Sequence, residues 1–130
     1  MSKAHISMGE GRPYTGMSAA VRFGDCIVVS GQVASNERGE FVGEGDFEAQ
    51  AEQCFANIAR ILGQAGATMA DVVSLTTYLT SAEQAPKFLA LRAKHFPDHP
   101  PATTTVIAQL LSSRFLIEIQ AMAAVEAKQP

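Results

Sequence analysis

Residues 115–125 alternate without a break. Phe115, Ile117, Ile119, Ala121, Ala123 and Val125 fall on one side, and Leu116, Glu118, Gln120, Met122 and Ala124 on the other. Side chains along an extended strand point to opposite faces in turn, so this pattern is a half-buried strand and fits no helix. The first face is wholly apolar and needs a core. The second mixes Leu116 and Met122 with a carboxylate and an amide. The chain must therefore build a sheet with one buried face and one of mixed character.

The rest of the chain supplies that sheet and its cover. Val21 and Phe23 alternate with Ala20 and Arg22, Gly24-Asp25 makes a two-residue turn, and residues 26–30 form an apolar strand that Gly31 ends. Residues 36–39 are a second turn signal, after which residues 40–42 return as a short strand. Asp46 caps a helix whose stripe is Phe47, Ala51, Cys54, Phe55, Ile58, Ile61 and Leu62, with Gly63 and Gly66 as stop signals. Residues 71–79 read as a strand, with Val73, Leu75, Thr77 and Leu79 on one side and Ser74, Thr76 and Tyr78 on the other. Ser81 and Gln84 form a capping-box pattern before Pro86, opening a second helix with Phe88, Leu89, Ala93 and Phe96 as its expected buried stripe. Pro97 stops it. Beyond the Pro97, Pro100 and Pro101 linker, the β-branched residues 103–107 form another strand. Residues 1–16, broken by Gly9, Gly11, Pro13 and Gly16, read as an irregular N-terminal segment.

Strand–helix–strand crossovers are right-handed and make their strands parallel, so both helices should cover one face of one mixed sheet. The expectation is a two-layer α+β domain filling residues 1–130. Its other sheet face is half apolar, which points to a second subunit as its cover.

Charge and composition exclude several functions. The net charge is −3, and no two basic residues other than isolated ones gather into a run. Neutralising phosphates needs a basic face, so nucleic-acid binding is disfavoured. No apolar stretch is long enough to span a bilayer, and the N-terminus has no apolar secretory core, so a cytoplasmic protein without a membrane partner is expected. Cys26 and Cys54 fit that compartment as reduced thiols, Cys54 in the core and Cys26 as a buried structural thiol.

Few motifs carry chemistry. His95 and His99 have helical metal-ligand spacing, but Pro97 breaks the helix between them, so they read as solvated residues at a helix end. The Gly9/Gly11 and Gly43/Gly45 pairs lack the third glycine of a dinucleotide loop, and no P-loop lysine follows any glycine run. No metal site is expected. Two polar groups stand out. Thr103, Thr104 and Thr105 open a strand after a proline-rich approach, and Gln120 is an amide within a mostly apolar strand. Each also has a plain reading, as β-propensity for the threonines and solvent exposure for Gln120.

Residues 21–25, the Ile27-Val28-Val29-Ser30-Gly31-Gln32 strand, Asn57-Ile58, the Pro101-Ala102-Thr103-Thr104-Thr105-Val106 run and Ile117-Glu118-Ile119-Gln120-Ala121 together resemble the Rid (reactive intermediate deaminase) family, also called the YjgF family and often labelled endoribonuclease L-PSP. The resemblance covers residues 13–126. It implies a chorismate-mutase-like fold and a homotrimer in which the sheets form an inner barrel, with small-molecule clefts between subunits. It also implies hydrolysis of enamines and imines, such as 2-aminoacrylate, without metal or organic cofactor.

Carried over residue by residue, the resemblance puts Thr103 where the family has a substrate-clamping Arg and Gln120 where it has a water-positioning Glu. Met17 stands for a pocket Tyr, Leu89 for an Asn, and Thr105 for a Cys or Ser, while Ser30 and Gly31 match. Thr cannot grip a carboxylate by two charge-assisted bonds as Arg does. The expected substrate is therefore an imine or enamine other than 2-aminoacrylate. The expected site is Gln120 and Thr103 as catalytic groups, with Met17, Ser30, Gly31, Leu89 and Thr105 binding substrate. Arg12 and Arg114 are candidates to replace the missing clamp. The alternative is a non-catalytic small-molecule-binding or regulatory homotrimer. A ribonuclease is disfavoured by the acidic balance and the lack of a catalytic His pair.

Overall fold

The computed structural model describes residues 2–9 and 16–126. Six strands form one sheet in the order β1-β2-β3-β6-β4-β5. They are β1 (Lys3–Ile6), β2 (Ala20–Phe23), β3 (Cys26–Gln32), β4 (Val72–Leu79), β5 (Ala102–Ile107) and β6 (Ile117–Ala124). Two helices, α1 (Phe47–Gln64) and α2 (Ala85–His95), pack on one side. The C-terminal alternation becomes β6 at the middle of the sheet, bonded to β3 on one edge and β4 on the other, antiparallel to both. β3 and β4 thus run parallel across it, and β4 pairs β5 directly in parallel. Both strand–helix–strand units join parallel strands as expected, and the α+β class holds.

Ile117 and Ile119 are fully buried and Ala121 and Ala123 nearly so, against Phe55, Ile58 and Leu62 of α1 and Phe88 of α2. Asp46 caps α1 as expected, its carboxylate accepting from the Ala49 N–H at 3.1 Å. Gly24, at φ +60°, lets the β2–β3 hairpin turn in two residues.

Several expectations need correction. The N-terminal segment is not irregular throughout, because β1 adds a strand to the edge of β2 with Lys3 opposite Phe23. Residues 40–42 do not form a strand; Phe41 makes one isolated bridge to Ser35. Val73 does not face the core. A register irregularity between Val72 and Ser74 puts Val72 inside and leaves Val73 exposed. The buried stripe of α2 is Phe88, Leu91 and Phe96, while Leu89 and Ala93 face outward. A 3-10 turn at Ala82–Gln84, where Ser81 and Gln84 make the expected capping box, precedes α2 and sets its phase differently. His95 is not free at the helix end either: its Nε2 lies 2.8 Å from Glu52 Oε1 and its ring stacks on Phe55. That hydrogen bond holds the Glu52 carboxyl below its ordinary range. Cys54 is buried, and Cys26 is half-buried rather than enclosed. Among the described residues no helix is long and apolar enough to cross a membrane.

Candidate functional site

The helix-free face of the sheet holds a cleft of about 700 Å³. Its floor is Tyr78 of β4 with Glu118 and Gln120 of β6, and one wall is the end of β3, Ser30 to Gln32. Met8 and Met17 close one side, and residues 108–111 and Phe115 the other.

The β3 wall is held from behind by polar groups of α1 that point into the core. The Cys54 thiol donates to the Gln32 carbonyl at 3.2 Å. The Asn57 amide donates to the Val33 carbonyl at 3.1 Å and the Ser35 carbonyl at 2.7 Å. The Asn57 oxygen in turn accepts from Gln53 and Arg60. Gln50 braces the opposite wall. Its amide donates to the Gly43 and Arg114 carbonyls, and its oxygen accepts from the Leu116 N–H at 2.9 Å. Gln50, Cys54 and Asn57 are all buried, so each bond replaces one that water would otherwise make. Their spacing is helical and inside the apolar stripe of α1. Polar residues in a buried stripe are the signal that marks them, and reading Cys54 as plain core passed over it.

Glu118 lies against Gly31. A methyl group on Gly31 would overlap the Glu118 carboxylate and sit 3.0 Å from its carboxyl carbon. A side chain at position 31 would thus displace Glu118 from the wall. Among the described residues Glu118 has no hydrogen-bond or ion-pair partner, and burial raises its pKa above the ordinary carboxylate value. Burial likewise pushes the Cys54 thiol up, with the Glu118 charge adding to it, so Cys54 is no nucleophile.

The expected site residues divide. Met17, Ser30, Gly31 and Gln120 line the cleft. The Ser30 hydroxyl donates to the Ser18 carbonyl at 2.7 Å, which leaves its lone pairs for a ligand. Thr103, Thr105 and Leu89 do not line it. Thr103 and Thr105 pair with Leu75 and Thr77 and so share the helix side of the sheet, on exposed edge strand β5. Thr104 is the one that shares Gln120's face, through Thr76. Leu89 is exposed on α2. Arg114 is engaged elsewhere, its Nε 2.7 Å from Glu44 and its guanidinium 4.3 Å over the Phe41 ring. Arg12 lies outside the described residues. Glu118 is the residue the sequence reading missed: the resemblance drew attention to position 120, while the carboxylate stands two residues earlier on the same face.

The Endoribonuclease L-PSP family model matches residues 10–125. A RutC family protein of Pyrococcus abyssi is 34% identical over 86% of this chain and 88% of its own length. A 2-iminobutanoate/2-iminopropanoate deaminase of Dermatophagoides farinae is 27% identical over 88% of this chain and 90% of its own. Among solved structures, Rv2704 of Mycobacterium tuberculosis, a member of the YjgF/YER057c/UK114 family, has 34% identity and a TM-score of 0.84, covering 95% of this chain and all of that one. A Rid-family protein of Yersinia pestis has 29% identity and a TM-score of 0.86 over 95% of this chain and 100% of its own.

Proposed function

Because the chain belongs to the Endoribonuclease L-PSP (YjgF/Rid) family, its cleft is the place to seek its chemistry, and we propose that it hydrolyses a reactive imine or enamine there, with Glu118 as the proton-transferring group. The observation that carries this reading is the half-buried Glu118, without a partner among the described residues, against Gly31 on the floor that also holds Gln120. A protonated imine is already electrophilic, so water needs only positioning and a proton acceptor. A carboxylate whose proton affinity is raised by burial is the better acceptor. It takes a proton as water adds to the imine carbon and passes it to the nitrogen. The proton of the new hydroxyl then goes to Glu118 as the C–N bond breaks and on to the departing ammonia, so that a carbonyl compound and an ammonium ion leave and the carboxylate is restored. The Gln120 amide and Ser30 hydroxyl orient the water. No step needs a metal or organic cofactor.

In this reading the functional unit is a homotrimer. Met122, Val106 and Val73 are exposed on a sheet that no helix covers on that side, an apolar surface suited to burial between subunits. The edge strand β5 would bring Thr103 and Thr105 towards a neighbouring subunit's cleft. A non-catalytic binding trimer is the second reading, favoured by the lack of any cation in the cleft lining among the described residues.

Turnover separates the two. Imines generated in situ by oxidases are followed to the carbonyl product with and without the protein. Accelerated hydrolysis that falls about 10²-fold in Glu118→Gln supports the enzyme, in line with the usual worth of general acid–base catalysis. No acceleration across a broad panel would leave the binding reading. Hydrolysis of 2-aminoacrylate is expected to be weak, since nothing described in the cleft grips its carboxylate.

A further inference from the structure

Glu118 is the sole acidic or basic side chain lining the cleft among the described residues. Several basic side chains among the described residues are held elsewhere. Arg22 donates to the Ala65 and Gly24 carbonyls, Arg60 to Asn57 and Arg114 to Glu44. Arg38 pairs with Glu40, and Lys87 and Lys94 face Glu48 and Glu52 on the helical side. Thr103 and Thr105, which a neighbouring subunit would add, bring hydroxyls and no cation. Tyr78 stands opposite Glu118 in the sheet, and the same cleft is lined by the Phe115 ring and the thioethers of Met8 and Met17. Aromatic faces attract cations and apolar groups alike.

A ligand bearing a carboxylate would set a second negative charge beside Glu118 with no described side chain of the cleft to offset it. A cationic ligand would instead supply the partner that Glu118 lacks among the described residues. We propose that the cleft takes a primary iminium or ammonium ion without a carboxylate, Glu118 being its counter-ion and Tyr78, Phe115 and Met17 enclosing its apolar body. This rests on the imine-hydrolase reading and names its substrate class: aldimines of the kind that oxidation of simple primary amines releases. The net reaction is RCH=NH2⁺ + H2O → RCHO + NH4⁺, balanced in atoms and charge, with no oxidant or reductant.

A matched pair of probes tests it. 3-Methylbutylammonium and leucine share one side chain and differ by the carboxylate. In calorimetric titration of the full chain, 3-methylbutylammonium is expected to bind at least about tenfold more tightly than leucine. Glu118→Gln should abolish that preference. Equal binding, tighter leucine binding, or a preference that survives Glu118→Gln overturns the proposal. Turnover is read separately, on the aldimine released from 3-methylbutylamine by a flavin amine oxidase and the imino acid released from leucine by an amino-acid oxidase. Faster hydrolysis of the imino acid would keep the hydrolase and overturn the substrate class. The ammonium preference without hydrolysis of either would keep the ligand class and overturn the hydrolase.

Discussion

Gly31 and Glu118 occupy one space: the position where any other residue at 31 would place its β-carbon overlaps the Glu118 carboxylate. The glycine is thus required by a close approach and not by backbone strain. It lets a carboxylate lie against the wall of the cleft, half-buried and without a partner among the described residues, where burial raises its proton affinity.

Gly31→Ala should therefore damage the cleft more than the fold. The group displaced is the end of a flexible side chain, so the melting free energy should change by no more than about 1 kcal/mol. Ligand affinity or turnover should fall at least about tenfold, because Glu118 is pushed from its place. Thermal melting alongside a binding titration checks both. A stable variant with full activity would show that the contact between the two residues does not matter to function.

Glu118→Gln should raise stability at neutral pH. The carboxyl's folded pKa lies above its unfolded value, so the folded state binds more protons through the window between them. Stability falls as pH rises through that window, and the penalty is complete above it. Gln carries none, so parent and variant should differ most at neutral pH and converge in acid. Glu52 has the opposite sign: its carboxyl is held low by His95, so its contribution is present at neutral pH and lost as pH falls through the folded value. Glu52→Gln should weaken the fold by less than about 1 kcal/mol at pH 7, since the pair is only part-buried and partly screened by solvent. Denaturation midpoints across pH resolve the two slopes.

Asn57→Ala should cost about 2–4 kcal/mol. It strips the Val33 and Ser35 carbonyls of their donors at a buried position. The β3 wall should loosen with it, so ligand affinity should fall even where the protein remains folded. Urea denaturation gives the stability change. A loss under 1 kcal/mol would mean that water replaces the amide.

Strands β2 to β6 and both helices were legible from local patterns such as the β6 alternation, the α1 stripe with its Asp46 cap and the β-branched run of β5, whereas the short edge strand β1 was not. The phase of α2 was not, because a 3-10 turn before Ala85 decides whether Leu89 or Leu91 faces inward. Val73 was misplaced by a bulge, which strict alternation cannot show. In the site, alternation put Glu118 and Gln120 on one face but could not say which meets Gly31. That depends on the β3–β6 register, which shifts between Val29 and Gln32. Thr103 and Thr105 carried the resemblance to a ligand-clamping position, yet in the subunit they lie across the sheet from the cleft.

Met122→Lys should separate the subunits. Met122 stands exposed on the helix-free face, where a buried ammonium in a subunit interface would lack a partner. Sedimentation equilibrium should show a trimer for the parent and a smaller species for the variant. A parent that is monomeric at micromolar concentration would remove the inter-subunit site.

The central claim, that Glu118 moves the proton in imine hydrolysis, is tested most directly by comparing the parent and Glu118→Gln on one aldimine, generated from 3-methylbutylamine, at neutral pH. The account predicts accelerated release of aldehyde by the parent and a loss of about 10²-fold in the variant, with the variant folded and at least as stable. Equal rates for the two proteins would contradict it.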